Sequence, residues 1–437
     1  GNLTIRSDMA FADVDIQLAA EMRSASVNVP QISWAKLPAE NGYVRMTFRV
    51  QNGRVNSIQD VNISLGSLSV IGQVALGQGG NVQGAFLDRI KWPGNDLRDV
   101  IIENSGDGMK IGAQARIIDL APLRRNRGVG GGRKIDFDLV ADQFVVGDGI
   151  TLGGHLTGVK QKGGGGNAVF TGDLLFKGSP LIEEAELKLL FGEDGEVLQG
   201  TGLVGGGEAT IDFVDHKDAP PQLTMTSKNA GRMLAGLGIT DTIRAGSIEM
   251  TNTYQPGNLS VFDTEMRLRD FNVVEAPRAI RVFSVLGPMG FLQLVRGDGT
   301  RFDWGEASFS KRGSVVAIKS MRGGGSDIAL SMVGRYDAAS REVDVSGNLV
   351  PASLVNSVIS AIPVLGNLLT GFDKDGLFVT QFTMTGSIDN PETNANAASL
   401  VPGILRDVIS PKWLEREEKR ILGQDQDGES TAPTVDQ

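Results

Sequence analysis

The chain has 437 residues and a formal net charge of −10, which disfavours general nucleic-acid binding because that function needs a basic footprint. It contains no cysteine, and this excludes disulfides, thiolate metal sites and cysteine nucleophiles together. Its two histidines, His155 and His216, cannot form a three-histidine metal site, and both are predicted to lie at strand ends or in loops. No motif selects a catalytic group, so we expect no enzymatic activity, no metal and no cofactor.

Alternating apolar and polar residues predict β-strands along most of the chain. Glycine is unusually frequent, at 58 residues, and this suits short strands joined by tight turns. Because side chains alternate between the two faces of a strand, each predicted strand has one apolar and one polar face. In chain order the apolar positions are Val44, Met46, Phe48 and Val50; Val61, Ile63 and Leu65; Ile135, Phe137 and Leu139; Ile211 and Phe213; Phe262, Met266 and Leu268; Ile328, Leu330 and Met332; and Phe378, Phe382 and Met384.

Patterns typical of helices are scarce. Residues 97–105 fit a short helix or a strand, and residues 227–239 predict a helix capped near Ser227 or Asn229. Residues 399–409 and 411–422 predict two more short helices, and the polar residues after 422 predict a disordered tail.

Two apolar helices are also predicted, at 276–295 with a break at Gly287–Pro288, and at 352–370. No charged residue lies between Asp344 and Asp373, but prolines and amides interrupt this stretch, so we do not predict a membrane span. We expect both helices to cap the end of the β structure or to contact a membrane. Their apolar residues are Phe283, Leu286, Phe291, Leu292, Ile359, Ile362, Leu365, Leu368 and Leu369.

The predicted strands carry more apolar surface than so few helices can cover. Three solutions are open: a sandwich, a closed barrel, or a groove whose lining is covered by a ligand. The basic run at 124–134 predicts a solvated hairpin loop, and the alternative is that Arg124, Arg125, Arg127 and Arg133 touch anionic head groups or a membrane surface.

The last third of the chain carries a specific motif order. GNLVPASLVNSVISAIPVLGNLLTG at 347–371 is followed by GLF, then by TGSIDNP, then by VPGILR. This order resembles the C-terminal module of the bacterial AsmA-like family, of its large YhdP type. The matching residues are Pro351, Asn356, Ile362, Pro363, Leu365, Gly366, Gly371, Gly376, Leu377, Phe378, Gly386, Pro391, Pro402, Gly403 and Arg406.

Segments 229–250 and 111–123 also resemble the family, so that the likeness covers about residues 110–410. The resemblance implies a mainly β fold: a long twisted antiparallel sheet curled into an open hydrophobic groove, with short helices capping its C-terminal end. It implies a groove segment at 1–220, the AsmA-like module at 221–410, and a short helix with a disordered tail at 411–437.

The function implied is that of a bridge-like lipid transfer protein. We expect a periplasmic portion, tethered by an N-terminal inner-membrane anchor outside this sequence, that carries phospholipid between inner and outer membranes and supports outer-membrane lipid homeostasis. The expected partners are phospholipid, both membrane surfaces and envelope proteins, without nucleic acid. The groove lining would be Val44, Met46, Phe48, Val50, Ile135, Phe137, Leu139, Phe262, Met266, Leu268, Ile328, Leu330, Met332, Phe378, Phe382 and Met384.

Two other functions remain open at this point. One is a non-enzymatic envelope structural or assembly factor with a filled β-sandwich core. The other, more distant, is an enzyme acting on glycans or lipids.

Overall fold

A computed structural model describes residues 2–7, 13–121, 132–274, 299–326, 328–351 and 377–400. Strands dominate these ranges, as the alternating pattern predicts. The chain divides into two compact units, residues 1–203 and residues 204–437.

The first unit is an open sheet built from consecutive strands. Its strands are β1 (Asn2–Ser7), β2 (Asp13–Glu21), β3 (Val27–Val29), β4 (Trp34–Lys36), β5 (Gly42–Gln51), β6 (Arg54–Leu65), β7 (Leu68–Leu76), β8 (Val82–Trp92), β9 (Asn95–Ser105), β10 (Gly108–Asp119), β11 (Lys134–Gly147), β12 (Ile150–Lys160), β13 (Gly166–Phe176), β14 (Ser179–Gly192) and β15 (Gly195–Val204). Strands β3 and β4 form a separate hairpin, and the others pair in the order β1, β2, β5 and onward to β15. Among the described residues no pairing joins β1 to β15, so the sheet does not close into a barrel.

One strand pair contradicts the expected purely antiparallel sheet. Strands β10 and β11 are parallel, with Gly108 opposite Lys134 and Asp119 opposite Val145. Parallel neighbours cannot be joined by a tight turn, and here residues 120–133 separate them. The prediction of a hairpin loop at 124–134 was therefore wrong, although residues 122–131 themselves lie outside the described ranges.

The second unit is a sheet of consecutive antiparallel strands with one helix among its described residues. Its elements are β16 (Gly207–His216), β17 (Gln222–Ser227), α1 (Ala230–Gly236), β18 (Ile243–Gln255), β19 (Asn258–Val273), β20 (Thr300–Arg312), β21 (Val315–Gly324), β22 (Ile328–Asp337), β23 (Glu342–Pro351), β24 (Leu377–Ser387) and β25 (Glu392–Leu400). Each strand pairs with the next along the chain.

The helix predicted within 227–239 is confirmed in α1, which is shorter than the pattern. Its cap is Asn229, whose Oδ1 accepts a hydrogen bond from the Arg232 backbone N–H at 3.2 Å. No helix in the described ranges has the length and hydropathy that crossing a bilayer needs.

The remaining helix predictions have mixed outcomes. Residues 97–105 belong to strand β9, and the first two residues of the 399–409 prediction belong to β25. The predicted helices at 276–295, 352–370 and 411–422, with all nine of their apolar residues named above, lie outside the described residues.

Helix α1 packs closely on β18, and this gives a first testable prediction. A Cβ at Gly231 would collide with the Ile243 carbonyl oxygen and lie 3.0 Å from the Arg244 Cα. We expect Gly231→Val to lower the free energy of unfolding by about 1–3 kcal/mol, since the helix must move off the sheet. Denaturant titration measures this loss in the free energy of unfolding. The matched control is Ala235→Val, on the exposed side of the same helix. Equal losses in the two variants would contradict the close packing.

Candidate functional site

Cross-strand register joins the apolar residues of the first unit into one face. Following direct partners from β5 to β11 gives the row Val44, Ile63, Val70, Ile90, Leu97, Ala115 and Ala141. The neighbouring positions Phe48 and Phe137 continue this face, opposite Ile58 and Ile111 respectively. All seven predicted lining residues of this unit therefore lie on it: Val44, Met46, Phe48, Val50, Ile135, Phe137 and Leu139.

This face is only half-buried over most of its width. Apart from Ala121, which has helical geometry, the described residues of the first unit form strands, short 3-10 turns and loops, so no described helix covers this face. All seven predicted lining residues are half-buried, as are the neighbours Ile16, Ile58 and Ile111. At the β1 edge, Leu3 and Ile5 continue the face with 63% and 60% of their surface exposed. Apolar surface thus remains available to a ligand.

A line of backbone irregularities crosses this unit, and we call it the crease. Its first part is the register row Val61, Gly72, Leu87 and Val100 in β6 to β9. Its second part is the row Gly154, Gly172 and Ala185 in β12 to β14.

Bulges lie beside the crease in several strands. Asp60, Asp99 and Glu184 each have a positive φ, of 50°, 49° and 50°. The registers of β6, β9 and β14 shift at these positions. A bulge bends its strand and increases the local twist. Aligned bulges therefore fold the sheet along one line.

Side-chain contacts indicate that the fold is toward the apolar face. The rings of Phe144 and Phe170 meet edge-on with centroids 6.4 Å apart. By register Phe144 lies level with Leu174, on the opposite side of Gly172 from Phe170. In a flat sheet their Cα atoms would be roughly 16 Å apart. Burial is also deep along the crease, at 6% exposure for Val61, 8% for Leu87, 3% for Val100 and 1% for Ala185.

The β3–β4 hairpin covers one end of the apolar face. Trp34 packs with Leu65 and Leu68, and its Nε1 donates a hydrogen bond to Ser67 Oγ at 3.0 Å. The fully buried Lys36 holds the hairpin together, because its Nζ donates to the carbonyls of Ala25 and Leu37, each at 3.0 Å.

The second unit has an equivalent apolar face, which is rich in methionine. Its central register row is Ile211, Met225, Met250, Met266, Ala307, Met321, Met332, Gly347 and Phe382. The predicted lining residues of this unit lie on the same face: Phe262, Met266, Leu268, Ile328, Leu330, Met332, Phe382 and Met384. Phe378 occupies the matching backbone position in β24.

Burial is deep over part of this face. Met225 and Met250 are each 3% exposed, Met266 is 7% exposed and Phe382 is 8% exposed. The row is therefore buried at these four positions, whereas Met321 and Met332 are half-buried. Sequence reasoning missed Met225, Met250 and Met321. Met225 follows Leu223 at the two-residue period of a strand, and this is the signal that could have identified it.

A polar group interrupts the second apolar face. Thr264 is 1% exposed and donates a hydrogen bond to Asn252 Oδ1 at 2.7 Å. The Asn252 amide in turn donates to the Tyr254 hydroxyl at 3.4 Å, and burial raises the pKa of Tyr254. The three side chains satisfy one another, so this spot is an ordered polar link within an apolar row.

Aromatic rings lie over glycines on neighbouring strands in both units. A Cβ at Gly158 would come within 2.6 Å of Phe137 Cζ, and one at Gly347 would collide with the Phe382 ring. In each case ring and glycine are direct cross-strand partners. Each ring therefore lies close against the backbone of the neighbouring strand, on the apolar face.

The polar faces carry no arrangement that suggests chemistry. His155 lies inside β12, not at a strand end as predicted, and its Nε2 is 2.6 Å from Asp138 Oδ1 on the exposed side. His216 ends β16, as predicted. Within the described ranges no group of three or more acidic or histidine side chains is placed to hold a metal ion.

No family model, no curated protein and no solved structure matches this chain. The resemblance of residues 110–410 to the AsmA-like family therefore stays a prediction.

Proposed function

We propose that this protein carries phospholipid acyl chains in a trough formed where the apolar face of the first unit folds along the crease. The observation that carries the proposal is the continuous apolar face that register traces from β1 to β12, which is half-buried at all seven predicted lining positions. A face of this size without a covering helix in the described unit suits a hydrocarbon guest, because large exposed apolar patches mark binding surfaces.

The energetic logic follows from the lipid itself. An acyl chain that leaves a membrane exposes its methylenes to water at about 0.8 kcal/mol each. A continuous apolar trough removes most of that cost at every point of the path, while the head group stays in water. No bond is made or broken, so carriage needs no catalytic group.

The cellular setting of the proposal rests on the family resemblance. On that resemblance the chain would lie in the periplasm, anchored to the inner membrane by a segment outside this sequence. Phospholipid would pass between inner and outer membranes, with envelope proteins as partners at either end, and so support outer-membrane lipid homeostasis.

The buried part of the methionine row favours a second candidate. A buried interior such as that around Met225 and Met250 is what an envelope structural or assembly factor with a filled core would have. On that alternative the half-buried face of the first unit would be a docking surface and not a conduit.

Lipid extraction from the purified protein separates the two candidates. We expect mass spectrometry to find phospholipid bound to the protein, and the delipidated chain to take phospholipid up again from vesicles. A protein that is lipid-free as purified and takes up none from vesicles would overturn lipid carriage and favour the assembly factor.

A further inference from the structure

Three basic residues gather at one end of the apolar face of the first unit. Lys160 ends β12 and is the cross-strand partner of Ile135 in β11. Lys162 follows Lys160 by two residues, and Arg133 precedes Ile135 by two. Because alternate residues of a strand share a face, Lys160 lies at the end of the apolar row of β12. Arg133 lies one residue before β11, and Lys162 lies in the turn that follows β12. We call Arg133, Lys160 and Lys162 the basic rim.

The charges of the basic rim are free within the described structure. All three residues are exposed, and none forms an ion pair with another described residue. The nearby Lys134 differs, because it lies on the polar face and its Nζ is 3.1 Å from Asp136 Oδ1. The basic rim therefore offers cationic charge directly beside apolar surface.

The spacing between the basic rim and the crease fits a lipid chain. Lys160 lies six residues beyond Gly154 on β12, which is roughly 20 Å of extended strand. The hydrocarbon of one leaflet is about half of the roughly 30 Å core of a bilayer. The surface between them includes Phe137, Leu139 and Leu156, all half-buried.

We infer that the basic rim binds the phosphate of an anionic phospholipid whose acyl chains lie along β11 and β12 toward the crease. The inference rests on the proposed function and adds to it the lipid class and the orientation of the bound molecule. A lysine at the end of an apolar row suits this role, since its stem packs on hydrocarbon while its ammonium stays in water.

Competition between two vesicle lipids tests the inference. The delipidated full chain is incubated with vesicles of phosphatidylglycerol and phosphatidylcholine that have identical acyl chains, and the lipid on the repurified protein is quantified. We expect the wild type to prefer the anionic lipid. We expect Lys160→Glu with Lys162→Glu to reduce that preference at least about tenfold.

A charge-matched control isolates the position of the lysines. Lys91→Glu with Lys110→Glu makes the same change in net charge at two exposed positions on the polar face, and should keep the wild-type preference. Equal preference in the wild type and the rim variant would overturn the inference while leaving lipid carriage intact. Uptake of neither lipid by the wild type would overturn both.

Discussion

Replacing Phe48 with aspartate is expected to abolish phospholipid binding without unfolding the chain. Phe48 is half-buried on β5, between its partners Ile16 and Ile58. A lipid chain lying over an unpaired carboxylate at this position would remove its water of hydration. Burying an isolated charge is very costly, so the variant disfavours lipid on this face. We expect the phospholipid recovered from the purified variant to fall at least about tenfold, since each 1.4 kcal/mol of lost binding is a factor of ten.

The control for this variant places the same group on the opposite face. Gln73 is exposed on the polar side of β7, directly opposite Phe86. Gln73→Asp should leave the recovered lipid unchanged, and circular dichroism should show that both variants keep their strands. Wild-type lipid levels in Phe48→Asp would contradict the placement of lipid on this face.

Gly172→Val is expected to cause the largest loss of stability. Gly172 faces Gly154 across β12 and β13, and its φ is 149°. A Cβ there would collide with the Gly153 carbonyl oxygen and lie 2.9 Å from the Gly154 Cα. Overpacking and backbone strain act together, so we expect a loss of about 3 kcal/mol or more in the free energy of unfolding.

Gly192→Val provides the comparison for the crease. Gly192 ends β14, and a Cβ there would meet no atom within 4 Å. Denaturant titration should find this variant within about 0.5 kcal/mol of the wild type, as for most surface changes. If both glycine variants lost the same stability, the crease would not be a close approach of two strands.

Alternation in the sequence is enough to predict most strands and which residues share a face locally. It works for β5, where Val44, Met46, Phe48 and Val50 form an unbroken period of two. It fails at bulges, because an extra residue inverts the period. Ile58 and Val61 differ in parity but share the apolar face, since the register of β6 shifts between them.

The crease and the methionine row depend on alignment across many successive strands. The local sequence around Met225 or Met321 does not show that both residues lie in the same cross-strand row as Met266. The parallel pairing of β10 with β11 is likewise not predictable from local periodicity. Alternation shows which residues of a strand share a face, but not in which direction the strand runs beside its neighbour. These features become visible only once register is known.

Photocrosslinking along β5 tests on which face of the sheet phospholipid lies. A photoreactive residue is introduced at each position from 44 to 50 in turn, and the protein is irradiated with phospholipid bound. We expect crosslinks to lipid at Val44, Met46, Phe48 and Val50, and none at Arg45, Thr47 and Arg49. Lipid crosslinks at every position, or at none, would contradict this expectation.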